Sequence, residues 1–422
     1  MNESDNPKVL IVSQHFPPEK SGNASRIYDL SVNLSNKAKI FVFSPFPCFP
    51  HGTFKKTLKF KKSTEINAGL KLINLGSWQP TGQDPNFISR MSYYLGFPMH
   101  ACIWALFYLQ RYDTIITSAP PIFTAITGLF SKLILKKKWI IDMRDLWIDA
   151  SVSLGFIKEG GLFEKISRSF MNICFKNADL VCTTTEGVAD KLQLRYNIKN
   201  IAIIPNGVDP EHFYPKAKSK KNQIIYSGSV GHAQDLKNCI LAVKKVVKSK
   251  DDLKLLIVGE GDIKEELEEL VKSENLEKHV IFKGLIPREE VPELISESLI
   301  GLAPLKKLDS LDYAAPTKVF EYMACGVPFL GCGVGEIERL ATESGAGIIA
   351  DNDPEYIANI IMDLIDNPDK SKEMGQNGIS YVSKYYDRKK IALNLYNYIE
   401  AINTQPIATS DFEELDSKIS GK

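Results

Sequence analysis

Short apolar runs alternate with helix-like stretches along most of the chain. The first run is continuously apolar from Val9 to Val12, which is typical of a parallel strand covered on both faces. A helix is predicted from about Ser25 to Asn36. Further strands are predicted at Ile40–Phe43, Leu70–Leu75, Thr114–Thr117, Trp139–Ile141, Leu180–Thr183 and Ala202–Ile204. This repeated β-then-α order predicts an α/β fold with a doubly wound parallel sheet.

The same alternation restarts after the lysine-rich stretch Lys216–Asn222, which has the character of a connector. Strands are predicted at Ile224–Tyr226, Leu253–Val258, Val280–Phe282, Ile300–Ala303, Pro328–Gly331 and Gly347–Ile349. The predicted organisation is therefore a first domain at 1–205, a second at 206–385, a helix at 386–403 that packs back towards the first domain, and a mobile polar tail at 404–422.

One apolar segment, Phe87–Leu109, is long enough to raise the question of a membrane span. Pro98 and His100 interrupt it and Arg90 lies near its start, so it lacks about 20 uninterrupted apolar residues. It predicts a buried or interfacial helix.

Composition agrees with two globular domains. The 422 residues are 44% hydrophobic, with a mean hydropathy of -0.13 and a net charge of +1. So small a net charge argues against general nucleic-acid binding. The seven cysteines are scattered without a Cys-x-x-Cys pair, and the start of the chain has no signal-like apolar segment. Both features predict a cytoplasmic protein with reduced thiols.

Positive charge is concentrated locally. Between Phe54 and Lys138 the chain has twelve Lys or Arg residues against three acids. Five of the lysines lie among aromatic and aliphatic residues, at Lys55, Lys56, Lys59, Lys61 and Lys62. Such a mixture suits an anionic membrane surface, and an ordinary solvated loop explains it equally well.

Two such domains can bind several classes of nucleotide, and the sequence of the phosphate-binding loop distinguishes these classes. No G-x-G-x-x-G follows the first strand, and the one Gly-Lys pair is at Gly421-Lys422, so nicotinamide and Walker-type ATP sites are both disfavoured. Two short glycine turns remain, Ser21-Gly22-Asn23 and Ser227 to Gly231. Each precedes a predicted helix and is expected to present backbone N–H groups to a diphosphate, although such a turn is also a common structural feature.

Six segments occur in a characteristic order over most of the chain. They are His15–Glu19, Asp142–Trp147, Ile204–Asp209, Gly228–Leu236, Pro316–Pro328 and Met374–Gly378. Together they resemble the glycosyltransferase family 4 pattern, most closely the branch similar to the O-antigen N-acetyl-fucosamine transferases. The resemblance implies the GT-B fold, in which two Rossmann-like domains face each other across a cleft, retention of anomeric configuration, and no metal or other cofactor.

The block Pro316–Pro328 implies most of the donor site. By resemblance Glu321 binds the donor ribose, Lys318 neutralises the leaving diphosphate, and Thr317 also contacts the donor. The glycine turns add Gly22, Gly228, Ser229 and Gly231 to the donor-binding set. The alternatives are a helix-terminal acid for Glu321 and a solvated surface lysine for Lys318.

Two departures from the family pattern affect this site. Many relatives have a glutamate eight positions before the one that matches Glu321, where this chain has Tyr313. Many also place cations where this chain has Ser229 and Asp235. These losses leave Lys318, backbone amides and a helix dipole to hold the diphosphate.

The segment after the Trp139–Ile141 strand supplies the other candidate residues. Asp145 is predicted to lie near the acceptor hydroxyl or the anomeric centre, and Arg144 to act as an orienting cation or phosphate contact, with Lys318 as the third catalytic group. His15 and Asp142 are predicted on the acceptor side. A buried Arg–Asp pair that only fixes the loop, and a structural histidine, remain open.

The resulting prediction is a retaining glycosyltransferase that uses a nucleotide diphosphate sugar, with UDP and an N-acetylated hexose or deoxyhexose as the best suggestion. Its acceptor would be a lipid-linked glycan or polysaccharide in cell-surface glycan synthesis, met in the cytoplasm or at the inner face of the membrane. A non-hydrolysing sugar-nucleotide epimerase of the same fold and an inactive partner subunit are the alternatives.

Overall fold

The computed structural model describes residues 6–19, 21–49, 53–80, 86–309 and 311–404. The chain divides into two compact units. Unit 1 comprises the residues up to Val152, Ile157–Pro205 and the residues from Lys389 onwards, and unit 2 comprises Ser153–Phe156 and Asn206–Arg388. Each unit has its own sheet and its own apolar core.

The sheet of unit 1 has eight strands in the described residues. They are β1 (Lys8–Val12), β2 (Lys39–Pro45), β3 (Lys61–Asn67), β4 (Leu70–Leu75), β5 (Thr114–Ala119), β6 (Lys138–Met143), β7 (Leu180–Thr183) and β8 (Ile201–Ile203). Their order is β3-β4-β2-β1-β5-β6-β7-β8. The strands read as apolar runs because helices cover both faces of a parallel sheet, and Val9 to Val12 are fully buried.

The edge strand β3 was not among the predicted strands, and it differs in direction from the parallel strands of this sheet. It pairs antiparallel to β4, because only two residues connect the two strands and a parallel pair would need a long crossover. The Asn67 side chain accepts a hydrogen bond from the Gly69 amide in the turn, at 2.9 Å. Most of β3 is exposed, so no apolar run marked it in the sequence.

Helices of unit 1 include α1 (Gly22–Leu34), α2 (Phe87–Phe107), α3 (Ala125–Leu133), α4 (Trp147–Ser153), α5 (Leu162–Asn177) and α6 (Glu186–Tyr196). The start of α1 lies three residues before the predicted Ser25, because the Ser21 side chain caps it by accepting from the Ala24 amide at 3.2 Å. The apolar segment that begins at Phe87 forms α2, and Pro98 lies inside it.

Unit 2 has a six-stranded, all-parallel sheet in the described residues. Its strands are β9 (Gln223–Ser227), β10 (Lys254–Val258), β11 (Val280–Gly284), β12 (Ile300–Pro304), β13 (Phe329–Cys332) and β14 (Gly347–Ala350). The order β11-β10-β9-β12-β13-β14 is the doubly wound Rossmann order. Each strand overlaps its predicted apolar run.

Helices cover both faces of this second sheet. They are α7 (Leu236–Val246), α8 (Lys264–Ser273), α9 (Val291–Ser296), α10 (Thr317–Ala324), α11 (Glu336–Ser344), α12 (Pro354–Asp366) and α13 (Pro368–Tyr385). Two separate apolar clusters lie against the sheet, one with α7 and α12 and the other with α10 and α11.

The last described helix is α14 (Arg388–Thr404). Ile391, Leu395, Ile399 and Ile402 belong to the core of unit 1, together with side chains of β1, β2 and α1. The spacing of these four residues places them on one face of the helix. Of the tail predicted at 404–422, residues 405–422 lie outside the described residues.

Candidate active site

Each sheet has a point where its strand order reverses. In unit 2 this point lies between β9 and β12, and in unit 1 between β1 and β5. Connections leave in opposite directions there and open a crevice at the carboxyl ends of the strands, where α/β proteins bind ligands. In unit 2 the turn that starts at Gly228 follows β9. In unit 1 His15 follows β1, and Arg144 follows β6, the neighbour of β5.

Lys318 reaches the turn after β9 from the first turn of α10. Its ammonium group donates hydrogen bonds to the Tyr226 hydroxyl at 3.0 Å and to the Gln234 side-chain oxygen at 2.9 Å. It also lies 4.1 Å from the centroid of the Tyr226 ring. Lys318 is 8% exposed, so it is not a solvated surface lysine.

Burial lowers the pKa of Lys318 from 10.5 to about 7, although the charge of Glu321 acts in the opposite direction. The two hydrogen-bond acceptors of the ammonium group are neutral. An ammonium ion in such surroundings gains most from an anion that enters the site.

Gly228 makes room for this lysine. A Cβ atom there would lie 2.9 Å from Lys318 Cε, and the residue has a φ of +149°. Its amide donates to the Val258 carbonyl at 2.9 Å, and the Val230 amide donates to the Glu260 carbonyl at 3.0 Å. The expectation that Gly228 presents a free N–H to a diphosphate is therefore wrong. The backbone N–H groups of Ser229 and Gly231, by contrast, have no acceptor in the described part of the chain.

A second glycine pair, Gly259 and Gly261, packs against the turn that starts at Gly228. A Cβ atom on Gly259 would lie 1.9 Å from the Gly228 carbonyl oxygen, and one on Gly261 would lie 2.2 Å from the Val230 carbonyl oxygen. These glycines do not complete a dinucleotide fingerprint. They are needed because two strand-to-helix loops pack backbone against backbone.

Thr317 and Glu321 share α10 with Lys318. Thr317 is the first residue of the helix, Glu321 follows one turn later, and both are half-buried. Tyr313, at the position where many relatives have glutamate, is a buried residue that is 4% exposed. An unpaired carboxylate would be costly at a position so far removed from water.

In unit 1, His15 is held by a carboxylate that was not predicted as a site residue. Its Nδ1 atom lies 2.7 Å from Glu19 Oε2. The other oxygen, Glu19 Oε1, accepts hydrogen bonds from the amides of Cys48 and Phe49 at 2.8 and 2.9 Å. Three bonds thus fix the buried carboxylate, which in turn fixes the imidazole, while the histidine side chain remains 13% exposed.

Gly22 differs from the glycines of unit 2. It is exposed in the first turn of α1, and a Cβ atom there would meet nothing within 4 Å. No neighbour or backbone angle in the described residues requires glycine at this position. Close approach of a ligand to the helix N-terminus would require it.

Asp142 forms a buried ion pair with Arg26. The Arg26 guanidinium lies 2.8 Å from Asp142 Oδ1, and both side chains are less than 5% exposed. Arg26 also donates to the carbonyl oxygens of Ile204 and Pro205, at 3.1 and 3.2 Å. The pair ties α1, β6 and the segment after β8 together, which is a structural role for a residue predicted on the acceptor side.

Arg144 and Asp145 are turned to different partners. Arg144 donates to the carbonyl oxygens of Ala119 and Pro120 at 3.2 and 3.0 Å, and its own carbonyl accepts from Thr184 at 2.7 Å. Burial lowers its pKa to about 10. Burial raises the pKa of Asp145 from 3.8 to about 6, while nearby Arg144 and the Trp147 amide act in the opposite direction. Asp145 Oδ1 has no partner in the described residues.

The described residues lack two further features. No group of three or more His, Cys, Asp or Glu side chains is arranged to hold a metal ion. None of the helices there is both long and apolar enough to cross a membrane. All seven cysteines are free thiols.

Solved structures with the same architecture define the class of fold. Sucrose-phosphate synthase from Thermosynechococcus elongatus superposes with a TM-score of 0.74 at 18% identity, over 94% of this chain and 99% of that one. Anabaena HepE in complex with UDP-glucose gives a TM-score of 0.69 at 15% identity, over 93% and 99% of the two chains. The predicted GT-B fold, with two α/β parallel-sheet domains, is confirmed.

Sequence models identify the family. The glycosyltransferase family 4 model matches residues 57–212, and the model for glycosyl transferases group 1 matches residues 208–381. The chain therefore belongs to glycosyltransferase family 4, as the motifs predicted.

Named relatives agree with this assignment. A Methanocaldococcus jannaschii glycosyltransferase is 24% identical over 91% of this chain and 95% of its own length. The N-acetylgalactosamine-N,N'-diacetylbacillosaminyl-diphospho-undecaprenol 4-alpha-N-acetylgalactosaminyltransferase of Campylobacter jejuni is 25% identical over 56% of this chain. The match spans 63% of the Campylobacter protein, which is less than two thirds of its length.

Proposed function

We propose that this protein is a retaining glycosyltransferase. It transfers an N-acetylated hexose or deoxyhexose from a UDP-linked donor to a lipid-linked or polysaccharide acceptor in cell-surface glycan synthesis. It works in the cytoplasm or at the inner face of a membrane, without a metal or other cofactor. The observation that carries the proposal is the buried ammonium group of Lys318, which has two neutral acceptors and lies against the turn at Gly228.

The donor diphosphate binds at the carboxyl end of β9. Lys318 balances the charge that grows on the leaving group, and the amides of Ser229 and Gly231 donate to its oxygens. Glu321, one turn along α10 from Lys318, accepts hydrogen bonds from the ribose hydroxyls. Bonds of this kind are strong because the acceptor is charged. Gly22 and Thr317 complete the donor contacts.

UDP and an N-acetylated sugar are proposed on the resemblance and on relatives. HepE was crystallised with UDP-glucose, and the Campylobacter protein is named as an N-acetylgalactosaminyltransferase that acts on a diphospho-undecaprenol substrate. A Mycobacterium tuberculosis relative is named as GDP-mannose-dependent, so the nucleotide must be tested directly.

The acceptor meets groups of unit 1. Asp145, whose pKa is raised to about 6, lies at the carboxyl edge of the sheet and orients the acceptor hydroxyl, with the Arg144 guanidinium held beside it. His15, fixed through Glu19, offers its second ring nitrogen to the acceptor. Retention follows from attack on the same face as the departing phosphate, which takes the proton from the acceptor hydroxyl.

A panel of UDP-, GDP- and dTDP-sugars tests donor binding through the melting temperature, because a ligand that binds only the native state must raise it. We expect the largest rise with a UDP-N-acetyl sugar, unchanged by EDTA. Glu321→Gln should weaken that binding by about 10- to 100-fold, the value of one or two charge-assisted hydrogen bonds. Glu338→Gln, an exposed acid on α11, is the matched control.

Asp145→Asn separates transfer from donor binding. We expect an unchanged donor-induced shift and a fall of about 100-fold in transfer to a lipid diphosphate-sugar acceptor, because the acceptor hydroxyl is no longer held in position for attack. Normal transfer by both Glu321→Gln and Asp145→Asn would contradict the proposed site. Isomerised donor without acceptor would establish an epimerase, and donor binding without turnover would establish an inactive partner subunit.

A further inference from the structure

Helix α2 has an apolar face that the described residues leave uncovered. Leu95, Met99, Ile103 and Phe107 recur every four residues, Leu106 lies beside them, and all five are between 38% and 70% exposed. We call these five residues the α2 stripe. Such spacing places them on one side of the helix.

The opposite side of α2 is also apolar. Tyr93, Phe97, Ala101 and Ala105 are at most 1% exposed and face the core of unit 1. A helix that is apolar all round is normally buried all round. The uncovered side therefore indicates a partner, because contiguous exposed apolar surface of this kind marks an interaction site.

Cations of the β3–β4 hairpin lie beside the α2 stripe. The Lys61 ammonium group is 3.5 Å from the centroid of the Trp104 ring, and the Phe60 ring is 4.2 Å from the His100 ring. Trp104 in turn contacts Phe107, with ring centroids 5.4 Å apart. Lys59 and Lys62, on either side of this contact, are exposed. The lysine-rich segment and the apolar stripe thus form one continuous surface.

The hairpin also lines a cavity of about 340 Å³ at the edge of the sheet where β1, β2 and β4 begin. Four cations line it, Lys8, Lys39, Lys71 and Arg111, against the single acid Glu65. None of these cations forms an ion pair in the described residues. Burial and the repulsion of Arg111 and Lys71 lower the pKa of Lys61.

Unpaired cations and uncovered apolar side chains together specify the occupant. A free anion would need no apolar neighbours, and an apolar protein surface would leave the cations without partners. The interface of an anionic bilayer supplies phosphate groups and acyl chains side by side. The cavity lies at the amino ends of β1, β2 and β4, whereas Phe60 and Lys61 lie beside the carboxyl end of β4, where Lys61 pairs with Leu75. The cations therefore follow the β3 side of the sheet from one end of the strands to the other.

We propose that the α2 stripe and the β3–β4 hairpin form a docking surface for an anionic phospholipid bilayer. The apolar side chains enter the boundary between headgroups and acyl chains, while the lysines and the cationic cavity bind lipid phosphates. The inference rests on the proposed function in one respect, since a lipid-linked acceptor would be met at that bilayer.

Vesicle sedimentation of the full chain tests this surface without any sugar substrate. Wild-type protein should bind phosphatidylglycerol-containing vesicles far better than pure phosphatidylcholine vesicles, and added salt should weaken the binding. Lys59→Gln with Lys62→Gln should weaken it by about 30-fold, since each surface lysine contributes roughly five- to sixfold. Met99→Ser with Ile103→Ser should weaken it by at least tenfold.

Matched controls come from α5 and α6, which precede β7 and β8 at the edge of the sheet opposite β3. Leu194→Ser removes an apolar side chain that is 88% exposed on α6, and Lys165→Gln removes an exposed cation on α5. Both should bind vesicles as the wild type does. Equal binding to both vesicle types, or equal losses in the controls, would overturn the proposal.

Light scattering distinguishes the remaining occupant. If Met99→Ser with Ile103→Ser converts a dimer to a monomer and vesicles are not bound, the stripe is covered by a second copy of the chain and the proposal is wrong. The donor-induced melting shift should stay unchanged in every docking variant. If the wild-type protein binds no sugar nucleotide, the proposed function is wrong, but the vesicle result still stands.

Discussion

Two buried cations, Arg26 in unit 1 and Lys318 in unit 2, have different kinds of partner. In unit 1, Arg26 is neutralised by Asp142 at 2.8 Å and donates to two further carbonyl oxygens. In unit 2, Lys318 donates to a tyrosine hydroxyl and a glutamine carbonyl oxygen, both neutral. Charges taken out of water are costly unless they are paired. The first cation is complete within the fold, whereas the second is best satisfied by an anionic ligand.

Removal of the acid in unit 1 should have the largest effect on stability. Asp142→Asn leaves Arg26 buried without its counter-ion and should destabilise unit 1 by about 3–5 kcal/mol. All four tryptophans, Trp78, Trp104, Trp139 and Trp147, belong to unit 1. Urea unfolding followed by tryptophan fluorescence therefore reports on this unit.

The control for that experiment is Asp190→Asn, an exposed acid on α6. It should change stability by less than about 0.5 kcal/mol. A loss of transfer in Asp142→Asn with undiminished stability would instead support the acceptor-side role predicted from the sequence.

The same contrast between paired and unpaired groups separates what could be predicted from what could not. The repeating strands were predictable because each is a short apolar run covered on both faces. β3 was not, since it is exposed at the edge and is held by its turn. Lys318 and Gly228 were predictable as members of motifs. Their contact was not, because they are 90 positions apart in the sequence and only the fold brings them together.

Support for the predicted site residues was harder to read from the chain. The sequence does not show which side chains Glu19, Arg26 and Gln234 bind, because these contacts form only in the folded chain. Glu19 lies four residues from His15, but its bonds to Cys48 and Phe49 depend on the loop after β2. Arg26 reaches Asp142 from 116 residues away. The burial of Tyr313 is likewise visible only once the chain is folded.

Lys318→Met should make unit 2 more stable and should weaken its binding of the ligand. The pKa of Lys318 is about 7 in the folded chain against 10.5 in the unfolded chain. Between these values the unfolded chain binds more protons, so stability rises with pH across this window. The cost of the buried charge is fully present below pH 7. The variant should therefore gain most in melting temperature near pH 6, and the gain should shrink towards pH 10.

Donor binding should change in the opposite direction in this variant. The lost charge-assisted contact with the diphosphate should weaken nucleoside diphosphate binding by about 10- to 150-fold at pH 6.5. In the wild type, affinity should fall as pH rises above about 7, and Lys318→Met should abolish that dependence. Calorimetric melting and titration check both effects, with Lys307→Met, an exposed lysine, as the control. A variant that is less stable at pH 6 would contradict the argument.

The smallest effects are expected from substitutions in the two glycine turns. Gly228→Ala adds a methyl group 2.9 Å from Lys318 Cε at a φ of +149°, so it should cost about 1–3 kcal/mol in stability and weaken donor binding. Gly22→Ala adds a methyl group that meets nothing within 4 Å and should leave stability unchanged or raise it by about 0.5 kcal/mol. If a ligand approaches the α1 terminus closely, this second variant still raises the donor KM. Unchanged KM with unchanged stability would remove Gly22 from the donor site and leave unit 2 alone in binding the diphosphate.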